Sequence, residues 1–343
     1  MAISIIGAMN RREFILGSAA AATAGRVWGQ GLDPEKMKRI AVMSLSLNAV
    51  VKSERNPTGP VEVMDFPDAV ADHLGIHNVE LDARTFFASW EPAYIADFRK
   101  RLDKAGSRVS QIIMALGSLT PTPAEMQARF EGIDRAVSLA CPRVMVLTGN
   151  ALAPDTRQAG IAALKAMADY GRPKNVSITM ENFNIYSKDG FGGRGAVGAS
   201  GAVAGGPVGA AGVAAAPGGA RGGAQGGSGA PGGGGVAYSA PWDVLVDVCK
   251  ASGTFINPDT GNFFDNTERM KGLPLMYTLT AGSGHVKYSP ALYDTGECIR
   301  ISKRVGYKGI YSIEAQGGGR GAAAPADPYA ACINIRDIIL ANM

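Results

Sequence analysis

The sequence predicts a closed (β/α)8 TIM barrel, an α/β fold, carrying a Gly-rich disordered insert after its fifth strand. Short apolar runs rich in β-branched residues alternate with longer amphipathic stretches, at a spacing of about 30–35 residues. Alternating strands and helices indicate a parallel sheet, and eight such units in 343 residues indicate a closed barrel. An open doubly wound sheet is the alternative, and it is disfavoured because no GxGxxG motif follows the first predicted strand.

The predicted strands are short runs bounded by turn-forming residues, and most of them end in a polar or charged side chain. In chain order they are Ile40–Leu47, Asn78–Asp82, Val109–Ala115, Arg143–Thr148, Val176–Glu181, Thr254–Asp259, Gly284–Tyr288 and Gly309–Glu314.

The predicted helices lie between these strands, and several have recognisable start or stop signals. Pro123 and Pro328 lie in the first turn of their helices, where a missing backbone N–H costs nothing. Gly75, Gly106 and Gly306 follow helices as C-terminal stops. In chain order the helices are Asp65–His73, Pro92–Ala105, Pro123–Ala140, Asp155–Tyr170, Ala240–Ala251, Thr267–Leu279, Thr295–Val305 and Pro328–Leu340.

Composition excludes several classes of protein. With 46% hydrophobic and 19% charged residues the chain can build a large core, so wholesale disorder is excluded. A net charge of +4, spread along the chain, gives no basis for a nucleic-acid partner. The four cysteines include no CxxC pair, which argues against a disulfide framework or a zinc module. No apolar run reaches the ~20 residues that span a bilayer.

The N-terminal segment, residues 1–30, is predicted to be a twin-arginine signal peptide and linker, with the barrel occupying residues 38–343. Arg11 and Arg12 precede a short alanine-rich apolar stretch, and cleavage is expected after Ala24. The export machinery of that route is therefore an expected partner, and the mature protein is expected in the periplasm. An amphipathic first helix is the alternative, but the stretch lacks a polar face at helical spacing.

A low-complexity segment, about residues 190–235, interrupts the barrel pattern after the fifth strand. It holds 21 of the 46 glycines and only two charged residues, Arg194 and Arg221. This composition predicts a disordered or collapsed loop. A tolerated expansion is the favoured interpretation, and a flexible lid over the barrel is the alternative.

Four consecutive predicted strands end in side chains that suit a metal ion. They present Glu181, Asp259, His285 and Glu314, and reactive groups of such barrels lie at the C-terminal ends of strands. Three carboxylates and one imidazole aimed at one axis would repel each other unless a cation lay among them. Such an oxygen-rich set suits Mn²⁺, Mg²⁺ or Co²⁺, with Zn²⁺ as a further option.

The chain resembles the xylose isomerase-like barrels, the sugar phosphate isomerase/epimerase family, from about Ile40 to its end without the insert. The motifs that carry this resemblance are Thr179-Met180-Glu181-Asn182, Asn257-Pro258-Asp259-Thr260-Gly261-Asn262, His285-Val286-Lys287 and Ser312-Ile313-Glu314, with Val79-Glu80-Leu81-Asp82 and Lys104-Ala105-Gly106 as weaker similarities.

The resemblance implies that Glu181, Asp259, His285 and Glu314 bind one divalent ion, commonly Mn²⁺, and that the two glutamates move protons on the substrate. The chain departs from the family where Asn262 and Phe183 stand in place of histidines, and where Tyr288 replaces an aspartate. With three histidines in the whole chain, the histidine-rich three-metal cluster of DNA-repair AP endonucleases is disfavoured.

The expected function is a metal-dependent sugar isomerase or epimerase that transfers protons next to a carbonyl through an enediolate. Glu181 and Glu314 would be its acid and base. Glu80, Asn262 and Lys287 are expected to contact the carbohydrate substrate. One alternative is a lyase that eliminates a group from a 3-keto-glycoside, and a second is a non-catalytic sugar-binding protein. The sequence leaves a homo-oligomer open.

Overall fold

Eight parallel strands form a nearly closed barrel surrounded by helices, which confirms the predicted (β/α)8 TIM barrel. The computed structural model describes residues 32–53, 56–83, 86–87, 89–114, 121–147, 156–182, 241–263, 265–315 and 327–343. The predicted signal segment, residues 1–30, and the Gly-rich insert, residues 190–235, lie outside the described residues. No described helix is long and apolar enough to cross a membrane.

The strands and helices alternate along the chain as expected. The strands are β1 Ile40–Met43, β2 Asn78–Asp82, β3 Arg108–Met114, β4 Arg143–Leu147, β5 Ser177–Glu181, β6 Phe255–Asn257, β7 Ser283–Val286 and β8 Ile310–Ile313. The helices that follow them are α1 Phe66–Leu74, α2 Pro92–Lys104, α3 Pro123–Ser138, α4 Arg157–Gly171, α5 Pro241–Ser252, α6 Asn266–Thr278, α7 Thr295–Arg304 and α8 Pro328–Asn342, and a short helical turn, Pro34–Met37, precedes β1.

Two junctions close the barrel, and they differ in how regularly their strands pair. The sheet order is β6-β5-β4-β3-β2-β1-β8-β7, so the first and last strands pair regularly, with Ile40 opposite Tyr311. The β6–β7 junction is irregular, and its pairing continues past the end of β6. There the His285 amide donates to the Pro258 carbonyl at 2.8 Å, and the Thr260 amide donates to the His285 carbonyl at 3.1 Å. This junction brings the residues after β6 against β7.

Side chains alternate between the two faces of the barrel wall. In β3, Ile112 belongs to the main core between the sheet and the helices, whereas Ile113 packs with Met43 and Met145 in a separate buried cluster. Because successive strand residues point to opposite faces, that cluster and the neighbouring Gln111 lie inside the barrel. The interior is therefore part apolar and part polar.

Local sequence signals explain where several helices begin and end. Thr122 and Glu125 form a reciprocal capping box at the start of α3, in which the Thr122 amide donates to Glu125 Oε2 at 2.7 Å. Gly75 ends α1 in the left-handed region, with φ of 66°, where a glycine is favoured because it has no Cβ. These caps confirm the predicted boundaries to within a few residues.

The first strand is shorter than the sequence predicted. The alternation of Ile40–Leu47 indicated one strand, but residues Ser44–Leu47 form a 3-10 turn. The hydroxyl of Ser46 donates to the Ile313 carbonyl at 2.8 Å and accepts from the Ala315 amide at 2.8 Å. These side-chain hydrogen bonds take the place of ladder bonds beyond Met43 and turn the chain over the end of β8.

The four cysteines, Cys141, Cys249, Cys298 and Cys332, are all buried and unpaired, as the sequence predicts. Burial raises the pKa of each thiol to about 12, which suppresses the reactive thiolate. We expect a thiol reagent to titrate four groups in denaturant and to react only slowly with the native protein. Fewer than four groups in denaturant would contradict the unpaired state.

Candidate metal centre

Four side chains from consecutive strand ends meet at the C-terminal mouth of the barrel. We call them the ligand cluster: Glu181, Asp259, His285 and Glu314. One potential ligand atom from each lies within 4.8 Å of the others. All four side chains are buried, with Asp259 and His285 fully so. The convergence expected from the sequence is confirmed.

His285 Nδ1 lies at the centre of the cluster. It is 3.1 Å from Glu314 Oε2, 3.3 Å from Glu181 Oε1 and 3.7 Å from Asp259 Oδ2. Atoms that share one small divalent ion at about 2.0–2.4 Å stand roughly 3–4.5 Å apart, depending on the angle between them. The observed separations match that spacing.

The backbone after β6 holds Asp259 in a fixed orientation. The Gly261 amide donates to Asp259 Oδ1 at 2.6 Å, which leaves Oδ2 directed at the cluster. The Asn182 side chain, which directly follows Glu181, accepts from the Asp259 amide at 2.7 Å and donates to the Asp259 carbonyl at 3.1 Å. Asn182 thus ties the end of β5 to the loop that carries Asp259.

Lys287 and Asn262 lie beside the ligand cluster. The Lys287 ammonium is 2.7 Å from Asp259 Oδ2 and 3.2 Å from Glu314 Oε1, and its side chain is 21% exposed. Asn262 donates to Glu181 Oε1 at 3.0 Å and accepts from Lys287 Nζ at 3.1 Å. Two of the three residues expected to contact substrate therefore reach the cluster itself. Tyr288 is 42% exposed, and Phe183 lies outside the described residues.

Glu80 occupies a different position from Asn262 and Lys287. It is fully buried inside the barrel, and its Oε1 lies 2.8 Å from His285 Nε2, on the far side of the ring from the other carboxylates. Gln111 donates to the same oxygen at 3.0 Å and to Asn257 Oδ1 at 3.1 Å. Thr179 donates to Gln111 Oε1 at 3.2 Å. A connected set of buried polar groups therefore supports the histidine.

Burial and charge act against each other in the cluster. Burial raises the pKa of Glu181 to about 7, and the His285 ring opposes this. Burial also acts to raise the pKa of Asp259, but the Lys287 ammonium and the imidazole hold it below its usual value. Burial disfavours charged His285, yet the Glu80 carboxylate leads a set of acids that raises its pKa well above the usual value. Burial acts to lower the pKa of Lys287, but the carboxylates of Asp259, Glu314 and Glu181 together raise it well above its usual value.

The residues present fit a divalent cation. Three carboxylates and one imidazole supply hard oxygen donors and one nitrogen. Asp259 Oδ2 is buried and pairs with Lys287 Nζ at 2.7 Å, and Glu314 Oε2 is buried 3.1 Å from His285 Nδ1. Three buried carboxylates therefore share one ammonium and one imidazole, and a divalent cation held by the cluster would balance the remaining negative charge.

Sequence reasoning missed the residues that support the ligands. Gln111 was not singled out, and Thr179 and Asn257 were noted only as parts of motifs, although each is a polar side chain on a buried strand. A polar residue at a strand position that faces the interior is the signal that could have identified them, because buried polar groups need hydrogen-bond partners. Asn182 was noted only as part of a motif, and its two hydrogen bonds to the Asp259 backbone could not be derived from spacing.

The structure resembles solved barrels of the xylose isomerase-like kind. D-allulose 3-epimerase from Methylomonas sp., solved with D-allulose, superposes with a TM-score of 0.56 at 13% identity, covering 89% of this chain and 98% of that chain. A sugar phosphate isomerase/epimerase from Parabacteroides distasonis gives 0.54 at 13%, covering 89% and 94%. A xylose isomerase-like protein from Mycobacterium smegmatis, in complex with magnesium, gives 0.53 at 16%, covering 90% and 98%.

These similarities establish the fold. No protein-family model matches the sequence, and no curated protein matches it.

Proposed function

We propose that the protein is a divalent-metal-dependent sugar isomerase or epimerase. The observation that carries this proposal is the ligand cluster, in which two glutamates share one centre with an aspartate and a histidine. The structural neighbours support it, because they include an epimerase solved with its ketose and a sugar phosphate isomerase/epimerase. A purely sugar-binding role gives no reason to bury three carboxylates within reach of one imidazole.

Two carboxylates on separate strands suit proton transfer at neighbouring carbons. Glu181 ends β5 and Glu314 follows β8, so they approach the mouth of the barrel from different sides of the cluster. One glutamate would remove a proton next to the carbonyl of the sugar, and the other would return a proton to the resulting enediolate. Return to the same carbon from the opposite face gives an epimer, and return to the neighbouring carbon gives an isomer.

A divalent ion in the cluster would polarise the carbonyl and hydroxyl oxygens of the sugar and so favour the enediolate. Mn²⁺ is our preferred ion because the donor set combines three carboxylates with a single imidazole, and Mg²⁺, Co²⁺ and Zn²⁺ fit less selectively. The neighbour that binds magnesium supports a hard cation of this class.

The substrate class follows from the expected export signal at Arg11 and Arg12. A periplasmic protein meets unphosphorylated sugars and glycosides, so we propose one of these rather than a sugar phosphate. A phosphate group would in addition require a strong basic site, and Lys287 is already engaged by Asp259 and Glu314.

We propose that Asn262 and Lys287 contact sugar oxygens beside the ion. Asn262→Ala is expected to raise KM with a smaller effect on kcat, because a lost hydroxyl contact weakens ground-state and transition-state binding together. Lys287→Ala is expected to lower kcat as well, because the ammonium would stabilise negative charge that develops on the substrate. Steady-state kinetics at saturating Mn²⁺ check both, and an unchanged KM in Asn262→Ala would contradict its role.

The reaction class is tested by NMR in D₂O on a panel of aldoses, ketoses and 3-keto-glycosides with added Mn²⁺. Deuterium wash-in at one carbon without cleavage is the expected result for an isomerase or epimerase. Loss of an aglycone would instead show the elimination expected of a lyase. Stoichiometric binding of a sugar without deuterium exchange would show that the protein binds sugars without catalysis.

A further inference from the structure

We propose that Glu80 is a positioning residue that selects Nδ1 of His285 as the nitrogen facing the metal centre. The inference rests on the metal-binding part of the proposed function and is independent of which sugar reacts. It assigns Glu80 a role through His285, in place of the expected contact with a sugar hydroxyl.

The first step is the geometry of the imidazole, which lies between two groups of carboxylates. Glu80 Oε1 stands 2.8 Å from Nε2, whereas the ligand-cluster oxygens of Glu181 and Glu314 stand 3.3 Å and 3.1 Å from Nδ1. A ring nitrogen must lack its proton to bind a metal. The short hydrogen bond to Glu80 keeps the proton on Nε2, so Nδ1 is the nitrogen left for the ion.

The second step is the orientation of Glu80 itself. Gln111 Nε2 donates to Glu80 Oε1 at 3.0 Å and to Asn257 Oδ1 at 3.1 Å, and Thr179 donates to Gln111 Oε1 at 3.2 Å. An ionised carboxylate only accepts hydrogen bonds, so turning the amide over would set Gln111 Oε1 against Glu80 Oε1 and lose that bond. Gln111 therefore holds Glu80 Oε1 in the position that His285 Nε2 meets.

The third step is burial, which makes this arrangement consequential. Glu80, Gln111, Thr179, Asn257 and His285 are each fully buried. Water cannot replace the carboxylate as acceptor for Nε2–H without rearranging this set. Burial also separates Glu80 from the mouth of the barrel, where Lys287 retains 21% exposure. A fully buried carboxylate bonded to the back of the histidine is suited to orient the ring and poorly suited to meet a sugar.

Glu80→Gln tests the inference, since it keeps the shape and one acceptor oxygen but removes the charge. We expect its Mn²⁺ affinity, measured from the EPR signal of free Mn²⁺, to fall about 10–100-fold, the usual effect of removing such a partner. Glu35→Gln is the matched control: it makes the same chemical change at an exposed carboxylate that pairs with Lys38 just before β1, at the opposite end of the barrel from the ligand cluster. Its Mn²⁺ affinity should stay within about two-fold, and equal losses in the two variants, or none in Glu80→Gln, would overturn the proposal.

A second measurement on the unmutated protein keeps the test valid if Glu80→Gln fails to fold. The chain has three histidines, so protein labelled with ¹⁵N-histidine gives a simple NMR spectrum. On titration with Mg²⁺, which is diamagnetic, we expect His285 Nδ1 to change its chemical shift while Nε2 keeps its proton. A proton retained on Nδ1 would overturn the proposal. Because neither measurement contains a sugar, failure of the isomerase proposal would be seen separately, in the D₂O experiment.

Discussion

Glu181→Gln is expected to lower turnover at least ~10²-fold at saturating Mn²⁺, the scale usual for loss of a general acid or base. Glutamine keeps the length of the side chain and can still accept the 3.0 Å hydrogen bond from Asn262. It cannot take a proton from carbon. Glu314→Gln is expected to have an effect of the same order, because the second glutamate completes the transfer.

The measurement is the rate of deuterium exchange into substrate, with ion occupancy verified for each variant. Saturation removes metal loss as a cause, which matters because both glutamates belong to the ligand cluster. Glu35→Gln is a suitable control, since Glu35 forms an exposed pair with Lys38 just before β1, at the opposite end of the barrel from the cluster. Wild-type exchange in occupied Glu181→Gln would show that the glutamates are ligands only.

Mn²⁺ is expected to raise the melting temperature by about 5–10 °C when present at about 100 times its dissociation constant. A ligand at that concentration stabilises the folded state by about 2.7 kcal/mol, and one kcal/mol shifts the melting of a domain this large by about 2–4 °C. Chelation should reverse the shift and abolish turnover, since the buried carboxylates would lose their shared cation.

Asp259→Asn separates specific binding from a general effect of divalent ions. Asp259 directs Oδ2 into the cluster, and the substitution replaces a charged ligand with a neutral amide. We expect it to lose most of the Mn²⁺-dependent shift. Scanning calorimetry with and without the ion checks this, and equal shifts in the variant and the wild type would place the ion elsewhere.

The barrel was predictable because strand and helix periods alternate clearly and several helix boundaries have local signals. Pro123 and Gly75 mark such boundaries by backbone chemistry that acts within a few residues. The prediction that β1 extends to Leu47 was wrong because distant residues, and not local signals, determine where this strand ends. Leu45 and Leu47 continue the alternation of a strand, but the turn is determined by hydrogen bonds from Ser46 to residues more than 260 positions away.

The ligand cluster was predictable because it depends on position within the strands. Each of its members lies in the last two positions of a strand or just after one, and parallel strands of a barrel bring those ends together. The role of Glu80 depends instead on a contact across the barrel, between β2 and β7. The sequence led to the expectation that Glu80 contacts the substrate, and only the three-dimensional structure shows that it meets Nε2 of the imidazole.

The irregular β6–β7 junction has a mechanical consequence. Asp259 and His285 come from opposite sides of that junction, and they are paired by one isolated bridge where regular strand pairing has ended. An ion bound by both side chains would cross-link the two strands where the barrel has its least regular pairing. It would add to the two backbone hydrogen bonds at that junction. Tension that opens the barrel at this joint would therefore also pull the ligand atoms apart, so the stiffness of the wall and the retention of the ion are coupled properties.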